Sequence, residues 1–474
     1  YYSRANAIQS QPVRPSILTL QRHIYLDMKI ISGIICSQNG KGGLIMLPEC
    51  RISGGHFPIP KFTVEKRDVQ EFMEELRGFH EEFRDCFSRS EPRENFLRYM
   101  IGQLSELERK SIEPIALQVE GGQVRAMQRF ITDVVWDAPK MLSKYHALVN
   151  EDLGDPQGVL IFDETGFPKK GEDSVGVARQ YCGNLGKVDN CQVGVFTAYA
   201  SKHGYALVDK RLFLPPKWCD AAYAGKRRKC EVPEDLEFKT KPQLAAEMFQ
   251  EIAQGGLLPF KYVTADTIYG NSDDFLSAIE QHPGAIYFVA VLASTLCWLQ
   301  PPRTLTKEYR YKNEVRQKES VPKSENKPVT LENFAKSLNK FYWYRRKVSE
   351  GTKGPIEYEF TKKQVILSKN GIPGRRVTLI IKRTLSETPV YSFYISNAPA
   401  STRLAIFVWL SGMRWPIEQC FEETKTELGM DHYEVRKYSA WHHHILTCML
   451  AHFFLWHLKI KMGKKSTTYY SLAA

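Results

Sequence analysis

The sequence predicts an α/β protein: a mixed sheet flanked by helices, preceded by a helical region and interrupted by a β-rich insertion. Between about 159 and 291, short apolar runs alternate with turns and helical stretches in the order β-β-β-α-β-α-β. A charged, helix-periodic stretch comes before it, and a strand-rich stretch separates it from a last helical run at about 402 to 460. A chain of 474 residues exceeds one ordinary core, so we divide it into a lead-in (1–65), a helical region (66–150), the first part of the sheet domain (151–299), a basic β-rich insertion (300–398) and a C-terminal helical part (399–474).

Residues 1–65 have weak periodicity, several prolines and a Gly-rich stretch at Gly40–Gly43, so they read as a lead-in without a core of its own, with disorder as one reading. From Val69 the pattern turns helical. Phe72, Leu76, Phe79 and Phe83 recur at three- and four-residue intervals, as do Leu97, Ile101, Leu104 and Leu107. Val159–Phe162, Val193–Tyr199 and Ala206–Leu214 read as three strands of a meander, the first ending at Asp163. A helix over 241–254, the strand Tyr262–Ala265 ending at Asp266, a helix over 272–281 and the strand Ala285–Val291 complete the sheet. Residues 300–328 read as a basic loop, and Phe341–Val348, Gln364–Leu367, Val377–Ile381 and Val390–Ile395 as strands.

The formal charge of +12 and a pI near 9.0 favour a polyanionic partner, such as nucleic acid or an acidic membrane face. With 43% hydrophobic and 25% charged residues the chain is an ordinary globular protein rather than a disordered one. The 10 cysteines include no CxxC pair, which argues against a zinc knuckle and for reduced, mostly buried thiols. Ile445–Trp456 (ILTCMLAHFFLW) is shorter than the roughly 20 residues a span needs, so it reads as a buried helix. His442, His443 and His444 face different directions on a helix and cannot share one ion, so packed histidines are expected there.

Three acids stand out. Asp163 follows a buried strand and leads into a Gly- and Pro-containing turn, and Asp266 follows another, ahead of an N-cap-like Asn271/Ser272. Carboxylates leaving neighbouring strands of one sheet can converge on a divalent ion. Glu164, next along the first strand, should point away from Asp163. Glu418, Glu422 and Lys425 share one face of a helix that Pro416 starts near Trp415, with Arg414 at its entrance. Taken singly, each acid also fits a turn cap or a solvated helix face, and Glu422 and Glu423 compete with Glu418 for the third position.

Together these segments resemble the DDE transposases of bacterial insertion sequences, in the branch whose catalytic domain carries a β-rich insertion between the second Asp and the Glu. Arg414, Glu418 and Lys425 match the spacing of that branch's Tyr-Arg-Glu-Lys signature, with Ser411 at the Tyr position. Asp266 with Tyr269 resembles the second signature, and Asp163 in DETGFPKKG the first. The resemblance covers roughly residues 70 to 460 and implies a ribonuclease H-like catalytic domain. It implies that Asp163, Asp266 and Glu418 are catalytic and bind Mg2+, for which Mn2+ can substitute. The activity implied is cleavage at terminal inverted repeats and transfer to target DNA, with residues 66–150 as the end-binding region. The implied partners are transposon-end DNA, target DNA and, in a synaptic complex, a homodimer, with no membrane; the implied location is bacterial cytoplasm at the nucleoid. Candidate DNA contacts are Arg414, Lys425, Tyr269, Lys169, Lys170, Trp343, Arg345 and Arg346. The alternative is an inactive or domesticated DNA-binding protein descended from such an enzyme.

Overall fold

The computed structural model describes residues 66–471, apart from 312, 313, 352 and 353, so the lead-in expected over 1–65 lies outside the described residues. The described residues open with five α-helices: α1 (Lys66–Glu81), α2 (Ser90–Leu104), α3 (Ile112–Gln118), α4 (Val124–Thr132) and α5 (Ala138–Leu153). The α1 stripe is as expected, with Phe72, Leu76, Phe79 and the following Phe83 all buried. On α2 the buried face is shifted. Phe96, Tyr99, Met100 and Gln103 point inward with Leu104, whereas Leu97 and Ile101 flank the core. The buried Gln103 hid this face from the sequence pattern, because the partner of its amide nitrogen is far away, Cys448 Sγ at 2.9 Å.

The strands that follow are β1 (Val159–Pro168), β2 (Ala178–Cys182), β3 (Lys187–Ala200) and β4 (Tyr205–Phe213). Next come α6 (Ala224–Lys229), α7 (Lys241–Gly255), β5 (Tyr262–Ala265), α8 (Thr267–Gly270), α9 (Asp273–Glu280) and β6 (Ile286–Val291). α7 starts at a capping box between Thr240 and Gln243 with a proline in its first turn, and it stops at Gly256 in the left-handed conformation. β1 lies between β3, its antiparallel partner, and β5, its parallel partner; β4 pairs antiparallel with β3 and β6 parallel with β5. The spatial order is therefore β4-β3-β1-β5-β6.

Two details correct the sequence reading. β1 does not end at Asp163: its pairing with β5 stops at Phe162↔Ala265, but its antiparallel ladder with β3 continues to Pro168↔Cys191. β2, buried at both ends with the polar Arg179, Gln180 and Tyr181 between, was not anticipated.

Beyond β6 the same sheet is extended by β7 (Leu296–Trp298), and the chain then forms β8 (Leu305–Tyr311), β9 (Glu314–Ser320), β10 (Val329–Thr330), α10 (Leu331–Ser337), β11 (Tyr344–Gly351), β12 (Gly354–Lys369), β13 (Ile372–Arg383) and β14 (Tyr391–Ser396). β14 adds antiparallel to the free edge of β6, followed by β13, β12, β7 and β10, with β11 on β12. The stretch read as a basic loop contains a separate two-stranded sheet, the β8–β9 hairpin.

The last described elements are α11 (Leu404–Leu410), α12 (Trp415–Thr426) and α13 (Tyr438–Ser471). Within α13, Ile445, Leu446, Met449, Leu450, Phe453 and Phe454 are all buried. Phe454 packs edge-on against Phe72 at 5.5 Å, and Phe453 lies 5.5 Å from Tyr145 on α5. Each fully buried ring of this kind contributes about 1.5–3 kcal/mol. One continuous apolar core thus joins the first helices, the sheet and the last helix. The three consecutive histidines diverge: His442 packs against Tyr438 and Trp441, His443 stacks on Trp136 at 4.1 Å, and His444 shares a 2.8 Å hydrogen bond with the Tyr99 hydroxyl. Among the described residues no helix is long and apolar enough to cross a membrane, and every cysteine is free.

Candidate active site

Asp163 is the first residue of β1 beyond its parallel pairing with β5. There the two strands part, and a cleft of about 680 Å³ opens, lined by Asp163, Glu164, Lys241, Asp266, Arg414, Glu418 and Lys425 among others. Asp163 Oδ1 accepts a hydrogen bond from the Glu164 amide at 2.9 Å, and Oδ2 faces Arg414 Nη1 at 3.2 Å. Burial pushes the Asp163 carboxyl up to about 7, against the opposing pull of the Arg414 guanidinium. Asp266 directly follows β5 and caps α8, its carboxylate accepting from the Thr267 amide.

α12 begins where Pro416 predicted, buries Ile417, Cys420, Phe421 and Thr424, and leaves Glu418 exposed on the cleft side. Arg414 Nη2 reaches Glu418 Oε1 at 2.6 Å, so one guanidinium ties Asp163 to Glu418. The cleft thus receives Asp163, Asp266 and Glu418 from a strand, a helix cap and a helix. Among the described residues no three His, Cys, Asp or Glu side chains already stand close enough to hold a metal ion. Arg414 is the counter-charge for two of these acids.

Glu164 turns from Arg414, as strand alternation requires, yet it still lines the cleft. Its Oε1 accepts from Lys241 Nζ at 2.9 Å and its Oε2 from the Tyr269 hydroxyl at 2.6 Å. Lys241 was missed in the sequence; its only signal was its place as the first residue of a capped helix.

The sequence matches the family described as DDE superfamily endonuclease over residues 82–355. The chain belongs to that family. The match includes Asp163 and Asp266 and ends before Glu418. The endonuclease is also 25% identical over 351 residues to a "Probable transposase for insertion sequence element IS701" of Microchaete diplosiphon, covering 73% of this chain and 77% of the relative. This kinship supports the enzyme class that the signatures resemble, a DDE transposase of an insertion sequence. Among solved structures, a piggyBac transposase synaptic complex with hairpin DNA overlaps 94% of this chain and 77% of its own at a TM-score of 0.35 and 9% identity. The NurA nuclease from Sulfolobus solfataricus overlaps 60% and 86% at a TM-score of 0.26 and 12% identity. Both overlaps are too loose to carry a structural inference.

The endonuclease distributes the remaining candidates unevenly. Lys425 is buried, its ammonium donating to Thr165 Oγ1 at 2.7 Å and to the Gly166 carbonyl at 3.1 Å, so it ties α12 to β1. Tyr269 is fully buried against Glu164 and offers no surface for DNA. Trp343, expected as a stacking platform, is also buried, with the Arg383 guanidinium 4.0 Å from its ring centre. Lys169 donates to the Tyr433 carbonyl at 3.0 Å and lies over that ring, whereas Lys170 is exposed. Arg345 and Arg346 are exposed; Arg345 is paired with Glu357 at 3.1 Å and Arg346 donates to the Arg345 carbonyl at 2.9 Å. Of the rivals to Glu418, Glu422 is exposed on the cleft, while Glu423 is turned inward to His452, Tyr205 and Gln419.

Proposed function

We propose that this endonuclease works as an insertion-sequence transposase, cleaving DNA at terminal inverted repeats in a divalent-metal-dependent step and joining the freed 3′-hydroxyl to target DNA. The observation that carries this reading is the cleft itself, onto which Asp163, Asp266 and Glu418 open from three different elements. The order β4-β3-β1-β5-β6, with two antiparallel pairings followed by two parallel ones, supports a ribonuclease H-like catalytic sheet. The strands between β6 and α11 are then the insertion, grown onto the edge of that sheet. On the same reading residues 66–150 bind the element's ends, and a homodimer holds two ends in a synaptic complex at the nucleoid.

The donor set fits Mg2+ or Mn2+. Three carboxylates offer hard oxygens, and the partly desolvated Asp163 is held as a carboxylate only against the cost of its burial, which a cation offsets. Asp163, Asp266 and Glu418 would hold the metal, whose chemistry is to activate water or a 3′-hydroxyl and to stabilise the leaving oxygen. The chain's own residues have separate work. Arg414 neutralises Asp163 and Glu418 and, on releasing them, presents a planar fork suited to a DNA phosphate. The Glu164–Lys241–Tyr269 contacts fix β1 to α7 and α8, so that Asp163 and Asp266 keep their relative positions.

The test is cleavage of labelled DNA bearing the element's own terminal repeats, with Mg2+ or Mn2+, by the wild type and by Asp163→Asn, Asp266→Asn and Glu418→Gln. Repeat-specific 3′-end cleavage that all three substitutions abolish, with DNA binding retained, is the expected result. Binding without cleavage by the folded wild type on the correct ends would refute it in favour of a DNA-binding descendant. Loss in Asp163→Asn and Asp266→Asn alone would move the third ligand to Glu422.

A further inference from the structure

The β8–β9 hairpin forms its own two-stranded sheet, and its described side chains from Leu305 to Arg310 and from Val315 to Glu319 are exposed. The register sorts its charges. Lys307 lies opposite Lys318 and Tyr309 opposite Arg316, so these four share one face by two-residue alternation. Thr306 opposite Glu319, Glu308 opposite Gln317 and Arg310 opposite Val315 occupy the other face, where Gln317 donates to Glu308 at 3.1 Å. The first face therefore carries Lys307, Arg316 and Lys318, with Glu314 falling in the same register at its tip, while the other carries Glu308, Glu319 and one cation, Arg310. Two lysines directly across an antiparallel ladder repel one another, so folding alone gives no reason to place them there. A polyanion lying along the face turns that repulsion into attraction.

We propose that the Lys307, Tyr309, Arg316 and Lys318 face of this hairpin is a docking surface for the phosphate backbone of duplex DNA. It rests on the DNA-acting reading above and adds to it a named contact surface outside the cleft. A twisted two-stranded ribbon is a shape that lies along a DNA groove, with its cations on the flanking phosphates. Same-face residues two apart on a strand are separated by about 6.8 Å, so the face offers a spaced row of charge rather than a point. The opposite face, with Glu308 and Glu319, would be held away from the duplex.

The test measures duplex binding across a salt series with full-length Asp163→Asn protein, so that cleavage does not interfere. It compares that background alone with the same protein carrying Lys307→Ala, Arg316→Ala and Lys318→Ala, and with a control carrying Glu308→Gln and Glu319→Gln. Each lost phosphate contact lowers the log–log salt slope by about 0.9, so the triple change should flatten it by about 2 to 3 and weaken binding on the order of 10²-fold at 0.1 M salt. The control should leave the slope unchanged. Melting temperatures near that of the background confirm that the body remains folded. If the hairpin itself is disturbed by three alanines, Lys307→Gln with Lys318→Gln preserves long polar side chains and should still flatten the slope by nearly 2. An unchanged slope in both folded variants overturns the proposal. A flattened slope in a protein whose wild type cleaves nothing keeps the hairpin surface and sinks only the transposase reading; normal cleavage with an unchanged slope does the reverse.

Discussion

Replacing Asp163 by Asn should make the protein more stable while silencing it. The Asp163 carboxyl is held at about 7 against an ordinary value of 3.8, chiefly by burial. At about 1.36 kcal/mol per decade, full ionisation then costs the folded state on the order of 4 kcal/mol. Water reaching the cleft reduces that figure, and an amide nitrogen cannot accept the bond that either Glu164 N–H or Arg414 now donates, a loss of about 1 kcal/mol. A net gain of roughly 1–3 kcal/mol remains, or about 1–3 °C in melting temperature for a chain of this size. The sign with pH follows from the raised value. Between about 4 and 7 the folded state keeps a proton that the unfolded chain has lost, so wild-type stability falls as pH rises through that window, with the full penalty above 7. Asp163→Asn has no such limb, so its advantage should be largest at pH 8 and shrink toward pH 4.5. Calorimetric or fluorescence melts in EDTA at both pH values measure this, and millimolar Mg2+ should stabilise the wild type more than the variant. Equal or lower stability of Asp163→Asn at pH 8, or an advantage that does not change with pH, would refute the reasoning.

Three further outcomes are expected. In Gly270→Ala the new Cβ would stand 1.9 Å from the Ala290 carbonyl oxygen of β6, so the backbone must move; a loss of about 2–4 kcal/mol in urea unfolding, with reduced cleavage from a displaced Asp266, should follow. In Glu423→Gln the buried acceptor of His452, Tyr205 and Gln419 becomes neutral. Burial raises the Glu423 carboxyl, but these hydrogen bonds outweigh it and hold it below its usual range. Its stabilisation is therefore present above the ordinary carboxylate value and lost as pH falls; the variant should lose about 2–4 kcal/mol at pH 7, with that deficit closing in acid, and keep its cleavage per folded molecule. Lys425→Met should lower stability by about 1–3 kcal/mol by stranding Thr165 Oγ1 and the Gly166 carbonyl, without changing the salt slope of DNA binding; a slope flatter by about 0.9 would instead mark Lys425 as a phosphate contact.

The sheet was legible where short apolar runs stop at turns, as VLIF does before Asp163 and YVTA before Asp266, and α12 was legible from Pro416. What escaped the sequence depended on distant partners. β1 continues past its apolar run because β3 pairs with the polar residues Asp163, Glu164 and Thr165, and no local pattern contains that ladder. Lys425 sits where a solvated helix face would carry a lysine, yet β1 supplies it with two oxygens from residues about 260 positions away. Trp343 looked like a platform beside Arg345 and Arg346, but Arg383 covers it from another strand. In residues 305–320 composition revealed the charge but not its division between two faces, which only the cross-strand register determines.

The last helix has a consequence for how copies of such a gene decay. α13 is the last described element, yet its side chains fill the centre against Phe72, Phe79, Tyr99 and Tyr145 from the helices that precede the sheet and Trp136 from the loop between two of them. Nothing synthesised before it can bury those rings properly, so the core closes only after α13 has been made. A premature stop between Asp431 and Tyr438 would leave all the cleft's acids encoded and still yield no native protein. A truncated copy is therefore lost to proteolysis or aggregation, not left as a DNA-binding competitor of intact copies.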